Sequence, residues 1–146
     1  MQKKHVWLVA VDGSDDAEMA LRNVCAMAKE ETDEVVIVTC VAHHHSHSRH
    51  LGDIISTDDH SQDEERATIL LESMQKLSAS LTNVRTRTEK LKGDPRKKLV
   101  DYARLRRVNF FALGRSGKSL ISFGSVSNYI ITHLDDVPVI LFHKRT

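Results

Sequence analysis

Small, cationic and hydroxyl-bearing residues gather in the last third of the chain, where together they could hold a phosphate group. Gly114 ends an apolar run, Gly117-Lys118-Ser119 follows, and Gly124-Ser125 comes shortly afterwards. Glycine lets the backbone approach a ligand closely, hydroxyl groups donate hydrogen bonds, and lysine adds a positive charge. The spacing of the glycines decides which kind of phosphate site this segment could form.

The glycine spacing does not fit the two best-known nucleotide-binding loops. A P-loop has a glycine five residues before its Gly-Lys-Ser/Thr, but Ala112 occupies that position, inside the apolar run. A dinucleotide-binding GxGxxG loop is also excluded, because Gly114 and Gly117 are three residues apart. Two interpretations stay open: the glycines only turn the chain between a strand and a helix, or they belong to a divided anion site.

In a divided site, several short segments would each contribute to binding the anion. Gly114 would let a strand end approach the ligand, and Gly124-Ser125 would open a helix whose N–H groups and positive dipole end attract phosphate. Arg115 and Lys118 would add positive charge, and the hydroxyl groups of that serine and of Ser127 would add donors. We therefore predict an anion site in this part of the chain.

Strand-like and helix-like stretches alternate along the chain and would position these residues. β-Branched apolar runs indicate strands, and apolar residues at 3.6-residue spacing indicate helices. The strands are predicted at 5–11, 34–41, 84–91, 108–113 and 137–142, and the helices at 15–29, from 61 to 81, from 95 onward and at 125–134. Three helix starts carry capping patterns, namely Asp15 with Glu18, Ser61 with Glu64, and Asp94 before Pro95.

This alternation predicts a single α/β domain over residues 1–146, with an open parallel five-stranded sheet and helices on both faces. In such sheets, ligands bind beyond the carboxyl ends of the strands, where the strand order reverses. Asp12, Gly114 and the strand end at 39–41 are therefore predicted to lie on one rim. The exposed alternation of 84–91 and the missing N–H of Pro138 place the third and fifth strands near the sheet edges.

Composition and charge exclude several classes of function. The chain has 146 residues, 40% of them hydrophobic and 28% charged, with a formal net charge of +1. That balance gives no field that would recruit nucleic acid or a membrane surface, and no apolar run approaches the ~20 residues that span a bilayer. Cys25 and Cys40 lie in apolar surroundings without a CxxC pair, so we expect reduced thiols and a cytoplasmic protein.

Several motifs, in order along nearly the whole chain, resemble the universal stress protein family. The first strand ends in Val11-Asp12-Gly13-Ser14, the third helix opens with Gly93-Asp94-Pro95, and the glycine segment precedes the terminal strand. The resemblance implies the Rossmann-like fold of the adenine nucleotide alpha hydrolase type, with strand order 3-2-1-4-5. It also implies a homodimer built through the last strand, from Val137 to Phe142, and an apolar edge strand does need a partner to cover it.

The resemblance further implies a nucleotide site, position by position. Asp12, between Val11 and Gly13, would hold the adenine–ribose part, and the backbone near Cys40 would contact the base. The other members of the predicted site are Leu113, Gly114, Arg115, Gly117 and Lys118 at the ribose and phosphates, and Gly124, Ser125, Val126 and Ser127 at the phosphates. The alternative role for Asp12 is a cap for the helix that follows it.

The glycine pattern departs from the ATP-binding branch of the family in its spacer. That branch has G-x2-G-x9-G-S/T, whereas this chain has six residues between Gly117 and Gly124. The resemblance implies binding of ATP or another adenine nucleotide. It leaves open whether a triphosphate fits the shorter spacer and whether Mg²⁺ accompanies the nucleotide.

We expect a regulatory or stress-response protein that acts as a homodimeric module, with at most slow ATP hydrolysis. No serine or histidine follows a catalytic motif, so an enzyme of high turnover is not indicated. Two alternatives stay open: a dimeric interaction module of the same fold that binds no nucleotide, and a nucleotide hydrolase or transferase.

Two other clusters attract attention. The histidine-rich stretch from His43 to His50 could bind a metal ion, but it lacks carboxylates or thiols at ligand spacing. We interpret it as a solvated connection, with a lid over the nucleotide site as an alternative. The basic residues at 96–98 and 104–107 are interpreted as the solvated face of a helix rather than a nucleic-acid footprint.

Overall fold

The computed structural model describes residues 3–42, 56–115 and 125–143, and the side chains of all of these except 56–60. Strands and helices alternate along the described chain, as predicted. The strands are β1 (Val6–Ala10), β2 (Glu34–Val41), β3 (Arg85–Lys92), β4 (Phe110–Gly114) and β5 (Val139–Phe142). The helices are α1 (Asp15–Met27), α2 (Ser56–Leu81), α3 (Pro95–Leu105) and α4 (Ser125–His133).

The five strands form one parallel sheet in the order β3-β2-β1-β4-β5. This confirms the predicted fold and strand order. It also confirms that the third and fifth strands are the edges of the sheet. The chain runs from β1 toward β2 in one direction and from β4 toward β5 in the other, so the strand order reverses between β1 and β4. A crevice is expected at that point, at the carboxyl ends of the two strands.

Two apolar layers cover the faces of the sheet. On one face, α1 and α2 pack through residues such as Leu21, Val24 and Leu71. On the other face, α3 and α4 pack through residues such as Leu99 and Ile130. Nearly every residue of β2 is buried, which its continuous apolar run predicted for a strand covered on both faces. These layers hold the strand ends, and therefore the rim of the sheet, in fixed positions.

The cap predicted for α3 is confirmed, and the one predicted for α2 is wrong. The Asp94 Oδ1 atom accepts a hydrogen bond from the Arg96 N–H at 3.0 Å, and Pro95 is the first helical residue. In contrast, α2 already begins at residue 56, so Ser61 lies inside the helix and does not form the predicted capping box with Glu64. The polar residues that precede the expected cap continue the helix instead of ending it.

The first helix also begins differently from its prediction. Ser14 caps α1, because its Oγ accepts a hydrogen bond from the Ala17 N–H at 3.2 Å. The predicted box of Asp15 with Glu18 is therefore wrong, since a hydroxyl one residue earlier takes the capping position. The Oδ1 of Asp12 accepts from the Ser14 N–H at 2.9 Å. Asp12 thus shapes the turn before the helix, and its alternative role as the helix cap is also wrong.

A buried aspartate ties together the end of the molecule that lies at the amino ends of the strands. Asp33 is 5% exposed, and its carboxylate accepts from the His5 N–H at 3.2 Å and the Trp7 indole N–H at 3.1 Å. It also accepts from the Lys29 N–H at 2.9 Å and the Thr32 hydroxyl at 3.2 Å. Burial by itself raises the pKa of the Asp33 carboxyl, but these hydrogen bonds outweigh it and hold the pKa below its usual range.

Candidate functional site

A cleft of about 220 Å³ opens at the carboxyl ends of β1 and β4, where the strand order reverses. We call it the rim cleft. Its walls come from β1, β2 and β4, from the turn before α1, and from the starts of α1, α3 and α4. The lining residues are Ala10, Val11, Asp12, Ser14, Ala17, Val38, Cys40, Pro95, Leu99, Leu113, Gly114, Arg115, Val126 and Ser127.

Most of the residues predicted for the site from the sequence meet at this cleft. Those that line it are Val11, Asp12, Cys40, Leu113, Gly114, Arg115, Val126 and Ser127. Gly13 lines a neighbouring cleft instead, and Ser125 is exposed at the start of α4 without lining either one. Gly117, Lys118 and Gly124 lie outside the described residues, as does the stretch from His43 to His50.

The cleft has an apolar floor, of which the sequence analysis predicted Leu113 and missed Val38 and Leu99. Val38, Leu99 and Leu113 are all buried there, from β2, α3 and β4 respectively. A period-2 reading of β2 would have found Val38, because it lies on the same strand face as Cys40. Such a surface suits a flat, weakly polar group such as a nucleobase, since ligand pockets are lined mainly by apolar side chains with few polar groups.

Three helices begin at the rim, and their first turns differ in charge. The first turn of α1 carries Asp15, Asp16 and Glu18, and α3 is capped by Asp94. In both helices a carboxylate already lies at the positive end of the helix dipole. The first turn of α4 contains no acidic residue, and the buried Ser127 from that turn lines the cleft. Of these three helices, α4 has the N-terminus that suits an anion best.

Asp12 is the exposed carboxylate of the site. One of its oxygens accepts from the Ser14 N–H at 2.9 Å, which fixes the side chain at the end of β1. Among the described residues that line the rim cleft, it is the only one with a carboxylate. A carboxylate at this position can accept hydrogen bonds from ribose hydroxyl groups or from an amino group.

The thiol of Cys40 forms part of the wall and is not reactive. Burial raises its pKa to about 11, and the nearby charge of Asp94 adds to the effect, whereas Lys98 opposes it. The thiol therefore stays protonated at neutral pH and behaves as a small apolar group. Cys25, the other cysteine, is also a free thiol and is buried.

Gly114 is required by packing between protein segments. A Cβ at this position would lie 2.6 Å from the backbone nitrogen of Ala17 and 2.7 Å from the carbonyl carbon of Asp16. Both atoms belong to the first turn of α1 and cannot move aside as a flexible side chain would. The glycine was predicted to let the backbone approach a ligand; the close approach seen here is to α1.

A second cleft of about 330 Å³ adjoins the first, and Asp12 and Cys40 line both. It lies between the carboxyl end of β2 and α2, and we call it the α2 cleft. Gly13 contributes a turn with a positive φ of 82° at its edge. Its remaining lining residues are Val41, Ala42, Asp63, Arg66, Ala67 and Leu70.

Two searches of the described residues were negative. Within 3–42, 56–115 and 125–143, no group of three or more His, Cys, Asp or Glu side chains is arranged to hold a metal ion. Over the same residues, every helix is too short or too polar to cross a lipid bilayer.

Comparison with known proteins identifies one family. A model of the universal stress protein family matches residues 5–143. The universal stress protein UspA from Lactobacillus plantarum superposes with a TM-score of 0.80 at 21% identity, over 97% of this chain and 99% of that one. No curated protein sequence matches the chain.

Two further solved structures contain a nucleotide. A universal stress protein in complex with cAMP superposes with a TM-score of 0.71 at 17% identity, over 95% of this chain and 96% of that one. A universal stress protein family member from Arabidopsis thaliana with AMP bound gives a TM-score of 0.71 at 15% identity, over 97% of this chain and 93% of that one. At these identities the superpositions establish the fold alone.

Proposed function

The chain belongs to the universal stress protein family, and from this premise we propose that it binds an adenine nucleotide in the rim cleft. The bound nucleotide would make it a regulatory or stress-response module rather than an enzyme of high turnover. The main support is that one cleft combines an apolar floor, an exposed carboxylate and the N-terminus of α4, whose first turn has no acidic residue.

Each part of the nucleotide has a matching part of the cleft. The adenine ring would lie on the floor formed by Val38, Leu99 and Leu113, where its apolar faces leave water. The ribose hydroxyl groups would donate to Asp12, and the phosphate would lie at the start of α4 beside Ser127. The two family members solved with AMP and with cAMP support this class of ligand.

Any ATP hydrolysis in this cleft would be slow. The thiol of Cys40 is protonated, and no histidine lines the rim cleft among the described residues. Asp12 is engaged with the turn before α1 and, in this proposal, with the ribose. The described residues therefore offer no base that would activate a water molecule near the terminal phosphate.

The protein would act as a homodimer through β5. This strand is an edge of the sheet, and all four of its residues are only half-buried in the isolated chain. A second copy would cover the apolar edge. Light scattering should therefore give twice the chain mass of 16.5 kDa, and a monomer at micromolar concentration would contradict the proposed assembly.

A calorimetric titration tests the binding proposal. AMP, ADP, ATP and cAMP are titrated into the protein with and without Mg²⁺, after a check for co-purified nucleotide by absorbance at 260 nm. We expect the wild type to bind at least one of them. Ala10→Phe should weaken that binding at least about tenfold, because Ala10 lines the cleft and the larger ring would fill it.

Ala79→Phe is the matched control, since Ala79 is exposed on α2 and touches neither cleft. Circular dichroism and urea titration establish that both variants fold. Absence of binding to all four nucleotides would refute the proposal and favour the dimeric interaction module. Equal nucleotide affinity in the two variants would show that the nucleotide binds outside the rim cleft.

A further inference from the structure

The α2 cleft has a larger volume than the rim cleft, about 330 Å³ against about 220 Å³, and the binding proposal places no part of the nucleotide in it. One face of α2 lines it, because Asp63, Arg66, Ala67 and Leu70 follow one another at helical spacing. Ala67 is buried against the sheet, whereas Arg66 is exposed. The cleft therefore has an apolar base and a charged mouth.

Ion pairs with β3 hold this part of α2 in place. The carboxylate of Glu64 lies 2.7 Å from the Lys90 Nζ and 2.6 Å from the Lys92 Nζ. The Lys90 ammonium also donates to the Thr68 hydroxyl at 3.2 Å. These contacts hold the helical turn that contains Arg66, so the backbone of Arg66 has a defined position beside the cleft.

Among the described residues, the guanidinium of Arg66 has no hydrogen-bond or ion-pair partner, unlike those of other arginines near the rim. Arg96 pairs with Asp94 at 3.1 Å, and Arg115 also has an interaction partner. Across the part of the chain that the structure describes, Arg66 forms no hydrogen bond or ion pair. Two carboxylates, those of Asp12 and Asp63, line the same cleft. A ligand group that enters this cleft thus meets one unused cation and two negative charges.

We propose that the α2 cleft receives a second phosphate group, esterified to a ribose hydroxyl of the bound nucleotide, and that Arg66 is the residue that accepts it. The inference rests on the proposed function, which puts the ribose hydroxyl groups at Asp12, where the two clefts meet. A phosphate on one of these hydroxyl groups would project past Asp12. The expected ligand is an adenosine 5′-phosphate that carries a second phosphate on one of its ribose hydroxyl groups.

The charge pattern makes Arg66 decisive for this ligand class. In dinucleotide-binding folds, an acidic residue selects a free ribose hydroxyl, whereas a nearby arginine accommodates a phosphate there. The guanidinium can hold a phosphate with two parallel hydrogen bonds, which a lysine cannot reproduce. Without Arg66, no cation among the described lining residues would offset the carboxylates of Asp12 and Asp63, so repulsion would weaken binding of the added phosphate.

The test compares AMP with adenosine 3′,5′-bisphosphate on the wild type and on variants of Arg66, by calorimetric titration. The wild type should bind the bisphosphate at least as tightly as AMP. Arg66→Ala should raise the Kd for the bisphosphate at least about tenfold while changing the Kd for AMP less than about twofold. Arg66→Lys should lie between, because it keeps the charge and loses the paired hydrogen bonds.

Lys76→Ala is the matched control, since it removes a cation from the same helix about 15 Å along its axis. It should leave both affinities unchanged. If AMP binds and Arg66→Ala affects both ligands equally or neither, the inference falls while the proposed function stands. If the wild type binds neither ligand, both the proposed function and this inference are refuted.

Discussion

Asp12 and Asp33 lie at opposite ends of the same sheet and have different roles. Asp33 is 5% exposed and accepts hydrogen bonds from four neighbouring residues, so its oxygens have no capacity left for a ligand. Asp12 is exposed, accepts one hydrogen bond from the Ser14 N–H, and lines two clefts. The residue type is the same, and the surroundings decide whether the carboxylate stabilises the fold or meets a ligand.

The comparison extends to the two ends of the molecule. At the amino end of the sheet, Asp33 links the start of β1 to the loop between α1 and β2, and the end is closed. At the carboxyl end, strand order reverses and helices lead away on both faces, so the end stays open. Stability is therefore expected to depend on the closed end and nucleotide binding on the open end. Three sets of substitutions test this division.

Replacing Asp33 should have the largest effect. Asp33→Ala leaves the buried indole N–H of Trp7 and the backbone N–H groups of His5 and Lys29 without their acceptor. We expect the free energy of unfolding to fall by roughly 3 kcal/mol or more, because each unpaired buried donor is costly. Urea titration followed by circular dichroism measures it.

The paired variant is Asp12→Ala, which should lower stability by less than about 1 kcal/mol and abolish nucleotide binding. If the two alanine variants lose similar stability, the division between a structural and a ligand-binding aspartate is wrong.

Gly114→Ala should have the second largest effect. It tests how closely α1 packs against the end of β4. The added Cβ would lie 2.6 Å from the Ala17 nitrogen, so β4 and α1 must move apart. We expect a loss of about 1–3 kcal/mol, the usual cost of overpacking. Gly13→Ala, in the neighbouring turn with a positive φ, should cost only about 1 kcal/mol. A smaller loss for Gly114→Ala than for Gly13→Ala would show that α1 does not press on the strand end.

The smallest effect concerns the ion pairs that hold α2 at the open end. Hydrogen bonds and charges from Lys90 and Lys92 lower the pKa of Glu64 from its ordinary 4.5 to about 2. A lowered pKa contributes stability above pH 4.5, and that contribution disappears as the pH falls toward about 2. Glu64→Gln should therefore be less stable than wild type at pH 6, and the difference should vanish near pH 2.

Urea titrations across this pH range test the prediction, with Glu72→Gln as a control that removes an exposed carboxylate from the same helix. A wild-type advantage that grows on acidification would contradict it. The magnitude is small because the Glu64 side chain is partly exposed to solvent.

The sequence allowed the fold to be predicted because its signals are local. The buried run of β2, the apolar stripe of α1 and the Asp94-Pro95 start of α3 each lie within a few residues of one another. The family resemblance added the strand order. The cap at Ser14 was missed because Asp15 with Glu18 offered a competing pattern one residue later, and a hydroxyl cap needs no glutamate.

The rim cleft was predicted only in part, and the hydrogen bonds of Asp33 at the other end of the sheet were not predicted, because both depend on contacts between distant segments. Trp7 and Asp33 are 26 residues apart in sequence, and nothing in either segment marks the pairing. The clash that requires glycine at 114 comes from α1, nearly a hundred residues earlier in the chain. The sequence does not distinguish Arg66 from other exposed helical arginines, because its position depends on how α2 packs beside the carboxyl end of β2. Such relations follow from topology rather than from local pattern.

A nuclear magnetic resonance titration tests the central claim most directly. Addition of AMP to the ¹⁵N-labelled protein should shift the backbone amide signals at the open end of the sheet, at residues 10–14, 113–115 and 125–127. The amide signals around Asp33, including those of His5 and Lys29, should stay in place at saturation. Shifts concentrated at the Asp33 end, or no shifts at millimolar AMP, would contradict the assignment of the nucleotide site to the rim cleft.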